Sequence, residues 1–136
     1  MGLFANFDIS GSAISAQSTR LNTTASNMAN TETIASSADK AYRARQPIFQ
    51  SMVEGNMQPG QIGVRMLGVV ESQADVLKRY DPGHAMADED GYIFASNVNS
   101  VEEMANMISA SRAYQNNVEV LNTSRDLLMR TLSLGS

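Results

Sequence analysis

Cysteine and tryptophan are absent from this 136-residue chain, histidine occurs once, at His84, and there are only three prolines. Without cysteine there is no disulfide, no thiolate nucleophile and no cysteine-ligated zinc site. No run of about 18 apolar residues occurs, so no segment reads as a transmembrane helix. The first basic residue is Arg20, which leaves the start of the sequence without the basic region of a cleavable secretory signal. Basic charge is also scarce: ten Lys and Arg stand against fourteen Asp and Glu, for a net charge of -4. Phosphate neutralisation needs clustered cations, and these are scattered, so a nucleic-acid partner is excluded. What remains is a chain with 43% hydrophobic residues, enough apolar surface to fold.

The strongest positive signal is a seven-residue repeat at both ends. Phe7, Ile14, Leu21 and Met28 mark it near the start, and Met107, Tyr114, Leu121 and Leu128 near the end. In the second stretch Met104, Ser111, Val118, Arg125 and Leu132 complete an alternating three-and-four spacing, the signature of a coiled-coil seam. The reading is a mainly α protein with a small β module, an α+β chain whose long N- and C-terminal helices pair as a coiled coil. Four segments follow: an N-terminal helix over 1–30, a linker over 31–41, a β-rich module over 42–99 and a C-terminal helix over 100–136. The first helix has only two charged residues, Asp8 and Arg20. A helix standing in water displays a charged face, so this one is expected to be enclosed by other subunits, with small polar groups such as Ser18, Asn22, Ser26 and Asn27 permitting close approach.

In the middle, 42–53, 61–72, 76–80 and 92–95 read as strands of one small module. They are separated by turn chemistry at Pro59-Gly60, Asp81-Pro82-Gly83 and Asp88-Glu89-Asp90-Gly91. Gly63 and Gly68 weaken the second strand and point to a bulge. Ser100-Val101-Glu102-Glu103 fits a capping box. Acidic residues early and Arg125 and Arg130 late follow the helix dipole, and Gly135 closes the helix.

No chemistry emerges from the remaining motifs. His84 lies in a turn with no Cys or Ser arranged beside it as a nucleophile. The acidic turn at 88–91 lacks the alternating oxygen ligands of a calcium loop, and Gly60, Gly63 and Gly68 are not followed by the Lys-Ser or Lys-Thr of a phosphate loop. The expectation is therefore no catalytic residue, no cofactor, no metal and no small-molecule substrate.

Several motifs carry a family resemblance. Arg20-Leu21 followed by Ala25-Ser26-Asn27-Met28-Ala29-Asn30 resembles the Asn-rich signature near the N-terminus of bacterial flagellar rod and hook axial proteins. The run Ser109-Ala110-Ser111-Arg112-Ala113-Tyr114-Gln115, then Asn117-Val118-Glu119 and Leu132-Ser133-Leu134-Gly135, is similar to the C-terminal end of the proximal rod members. Tyr80-Asp81-Pro82-Gly83-His84 and Asp90-Gly91-Tyr92 match turn motifs in the middle of the same proteins. The resemblance implies a structural subunit of the basal body, with Asn27, Asn30, Arg112 and Asn117 as motif residues. It also implies partners: other rod proteins and further copies of this chain in a helical assembly, with the inner-membrane ring and export apparatus nearby. Type III export without a cleavable signal and a periplasmic location follow from the same resemblance. A rival reading from the helical pattern is a secreted helical-hairpin adaptor or needle-like component of a related export system.

Overall fold

The computed structural model describes residues 3–52 and 62–135. Two long helices bracket five short strands: α1 (Leu3–Ala29), β1 (Ile34–Ala35), β2 (Arg45–Met52), β3 (Gly63–Glu71), β4 (Leu77–Tyr80), β5 (Tyr92–Ala95) and α2 (Ser100–Leu134). At about 1.5 Å per residue the helices span roughly 40 and 52 Å. They pack on each other more extensively than any other pair of elements. Asn27 of α1 donates to Glu103 of α2, whereas Arg20, one heptad earlier, donates to Asn106 further along α2. Pairs that descend one helix while ascending the other define antiparallel neighbours.

The strands do not form one module. β1, β5 and β4 make a three-stranded antiparallel sheet with β5 in the middle, while β2 and β3 pair separately as an antiparallel ribbon. The stretch 31–41, expected as a linker, thus contributes β1; a two-residue strand is too short to show a periodicity. The ribbon register shifts between Ile48 and Phe49, leaving Leu67 as the extra residue beside Gly68, where glycine relaxes the ladder. The Pro59-Gly60 turn lies outside the described residues.

The ribbon runs along α1 and is pinned to it at two points about 22 Å apart along the helix axis. Near the start of α1, the Ser12 hydroxyl accepts from the Val64 amide (3.2 Å) and donates to the Ile9 carbonyl (2.8 Å). Gly63 makes this approach feasible, since a Cβ there would lie 3.3 Å from the Ser12 hydroxyl. At the other end Asn27 holds Arg45. The shortage of charge on α1 therefore has an explanation inside the chain: α2 covers one side and the β2–β3 ribbon another.

Side chains in the core are mostly small. Ile93 on the central strand is fully buried, joined by Ala16, Ala35, Ala41, Val98 and Ala110. In contrast, Leu67, Val70, Ile108, Val120, Leu127 and Met129 are exposed apolar residues. The acidic turn is purely structural in its contacts: Asp88 Oδ1 accepts from the amides of Asp90 (3.0 Å) and Tyr92 (2.7 Å). Gly91 adopts φ +81°, and a Cβ would meet the Tyr80 ring at 2.9 Å, so glycine is needed on both counts. His84 Nδ1 accepts from the Met86 amide at 3.1 Å, closing its own turn.

The start of α2 differs from the expected capping box. Asn99 is the N-cap, and its side chain accepts from the amides of Val101 and Glu102. Ser100 is already helical, and Glu103 turns inward instead of reaching back. At the far end no basic residue occupies the last turn, and Gly135 caps with φ -98°, a right-handed conformation.

Candidate assembly interface

Asn27 is the centre of the buried polar network, with 1% of its surface exposed. Its amide nitrogen donates to the Arg45 carbonyl (2.8 Å) and to Glu103 Oε1 (3.1 Å). Its oxygen accepts from the Arg45 amide (2.9 Å) and the Tyr42 hydroxyl (3.0 Å). All four hydrogen-bonding positions of one side chain are filled, as burial of an amide demands. The two bonds to Arg45 fasten the start of β2 to α1, and the bond to Glu103 ties in α2. Tyr42 extends the network to Ser26 at 3.3 Å. A groove of about 380 Å³ opens beside it, lined in part by Gln17, Arg20, Phe49 and Asn106.

Along α2 the buried residues are Glu103, Ala110 and Ser124, and half-buried Asn117 continues the same heptad. With the half-buried Met107, Tyr114, Leu121 and Leu128 they form the stripe turned toward α1 within the chain. The intrachain stripe therefore keeps one of the two expected rows and replaces the other with its neighbour one residue back. Met104 and Leu132 are 48% and 66% exposed, Arg125 is exposed, and Ser111 and Val118 are half-buried at the flank. The displacement has a physical origin. Where α1 presents Asn27 and Arg20, a small or hydrogen-bonding side chain fits, and a methionine in place of Glu103 would leave one of the two Asn27 amide hydrogens without an acceptor.

On α1, Phe7, Ile14, Leu21 and Met28 are all half-buried. Asn30 donates to the Ser26 carbonyl (2.8 Å) and accepts from the Thr33 hydroxyl (3.1 Å), finishing the helix. Asn117 donates to the Ala113 carbonyl of its own helix (2.7 Å), and Arg112 is exposed. The motif asparagines thus serve packing and helix ends, not chemistry. The inward row of Glu103, Ala110 and Ser124 was not expected from the sequence, where Glu103 read as a cap and Ala110 only as part of the family motif; their spacing is a heptad, but their polarity and size mask it.

Among the described residues no group of three His, Asp or Glu side chains is placed to hold a metal, and no helix is long and apolar enough to cross a membrane.

Residues 89–134 match the family model described as Flagellar basal body rod FlgEFG protein C-terminal, which gives the class as flagellar basal-body rod proteins. Over 137 residues the chain is 47% identical to the flagellar basal-body rod protein FlgC of Salmonella typhimurium, with 99% of each covered. Coverage and identity are the same for FlgC of Escherichia coli O157:H7. FlgC of Yersinia enterocolitica is 46% identical over 135 residues, again with 99% of each chain covered. The chain belongs to the FlgC family of flagellar basal-body rod proteins. It is a structural protein of the basal body and not an enzyme.

Proposed function

We propose that this protein is a subunit of the proximal rod, assembling helically with copies of itself and other rod proteins into the shaft that carries motor torque to the hook. The observation that carries this reading is the match to FlgC over nearly the whole chain. The exposed apolar side chains on α2 and on the ribbon support it, because a subunit built to be surrounded leaves such surface for its neighbours. In the rod, α1 and α2 act as a coiled-coil layer, with Phe7, Ile14, Leu21 and Met28 on one helix and Met107, Tyr114, Val118, Leu121 and Leu128 on the other. Met104 and Leu132 face neighbouring subunits. Load is borne by many such contacts, since a buried aliphatic side chain contributes roughly 1.5–3 kcal/mol and an exposed ion pair only ~0–1 kcal/mol. The partly exposed Arg45–Glu71 pair at 3.3 Å falls in the second class. Export occurs through the flagellar type III apparatus without a cleaved signal, and assembly takes place in the periplasm beside the inner-membrane ring.

Deleting the protein should leave cells without hooks and non-motile, and an epitope-tagged copy should restore both and co-purify with hook–basal bodies. A tagged copy that restores motility yet is absent from washed basal bodies would contradict the reading and favour an exported adaptor.

A further inference from the structure

Two faces of the chain lie beside the packed stripe, only partly covered by it, and share a heptad rhythm. On α2 the flank row is Met104, Ser111, Val118, Arg125 and Leu132, set one residue beyond the stripe that α1 covers. On α1 the exposed positions include Asp8, Ser15, Asn22 and Ala29, again seven residues apart. Each row contains one charged residue. Among the described residues neither Asp8 nor Arg125 has an ion pair or hydrogen bond within the chain.

Laid antiparallel, as the two helices already lie within the chain, these rows match position by position in a single register. Asp8 comes opposite Arg125, Ser15 opposite Val118, Asn22 opposite Ser111 and Ala29 opposite Met104. Opposite charges meet, polar meets polar, and each of the two apolar side chains finds a small one across from it. Shifting by one heptad in either direction moves Arg125 off Asp8. From this complementarity we infer that the α2 flank seats the exposed face of α1 from a second copy of this chain, with Asp8–Arg125 setting the register. The contact joins unlike surfaces, and a heterologous contact propagates as a helix unless its rotation closes. α2 would then hold two α1 helices at once, its own and its neighbour's. Charge at such a position chiefly selects partner and register.

This inference rests on the rod reading, and its test separates the two. Because the chain has no cysteine, one copy with Ser15→Cys and another with Val118→Cys can form disulfides only between copies, and strains expressing either variant alone, which should give no dimer, exclude the 15–15 and 118–118 bonds. Co-expressed in a deletion strain, they should give a chain-sized dimer in oxidised, purified basal bodies. Ser15→Cys with Asn116→Cys, on the opposite side of α2, should give none. Independently, Asp8→Arg and Arg125→Asp should each lower basal-body yield at least several-fold, and the double swap should restore most of it. Rods formed in normal yield without the 15–118 dimer would overturn the contact while leaving the rod reading intact. A double swap no better than either single variant would overturn it equally.

Discussion

Asn27→Asp should loosen the whole subunit although it changes neither volume nor shape. The substitution exchanges a donor for an oxygen, which then faces Glu103 Oε1 at 3.1 Å and the Arg45 carbonyl at 2.8 Å. Two favourable bonds become two repulsive contacts in a site with 1% exposure. Each buried group left unsatisfied costs ~1–3 kcal/mol, so a loss of about 3–5 kcal/mol is expected, large against the total stability of a small domain. The urea midpoint of the purified subunit should fall sharply. Glu103→Gln in the same chain should recover part of the loss, because a glutamine amide can donate to the new carboxylate. Equal midpoints for wild type and Asn27→Asp would show that the network does not hold the helices together.

The same network marks the boundary of what sequence patterns could reveal. The seven-residue rhythm located both helices, and the turn residues around 81–83 and 88–91 located β4 and β5, because those signals are local. Choosing which residue in each heptad faces inward requires knowing the partner. Glu103 looked like half of a capping box because Ser100 and Asn99 are both capping residue types; only the position of Asn27 on α1, far away in the sequence, draws its carboxylate inward. The ribbon was legible as two strands, whereas its placement along α1 depends on Ser12 and Gly63, small residues without a periodic signal. Asn27 and Asn30 stood out through the family resemblance, but Tyr42, which completes the Asn27 network, had no motif to mark it. The contacts expected with other subunits were partly transferred inside the chain, since the charge-poor face of α1 suits either kind of cover.

Leu121→Asp should block incorporation into the rod. Leu121 is half-buried in the middle of the α2 stripe, with Ser124 buried one turn later and Leu128 half-buried on the same row. Half of a leucine's burial amounts to about 1 kcal/mol in the free subunit, and a carboxylate placed against the helix partner adds a desolvation penalty of several kcal/mol unless it finds a donor. Rod assembly repeats that penalty in every copy. On the proposed export route secretion should continue, while hook–basal-body yield falls to background. Glu119→Ala, at an exposed position on the other side of α2, should stay within ~0.5 kcal/mol of wild type and swim. Normal basal bodies built from Leu121→Asp subunits would mean that this stripe bears no load.

On the proposed reading, the chain is an under-packed element that its neighbours complete. Amide hydrogen exchange along α1, compared between the monodisperse subunit and purified basal bodies, tests it most directly. The small core predicts that amides of residues 5–19, beyond the reach of the Asn27 network, exchange quickly in the free subunit and become strongly protected in the rod. Equal, slow exchange of these amides in both states would contradict it, because α1 would then be fully stabilised by its own chain.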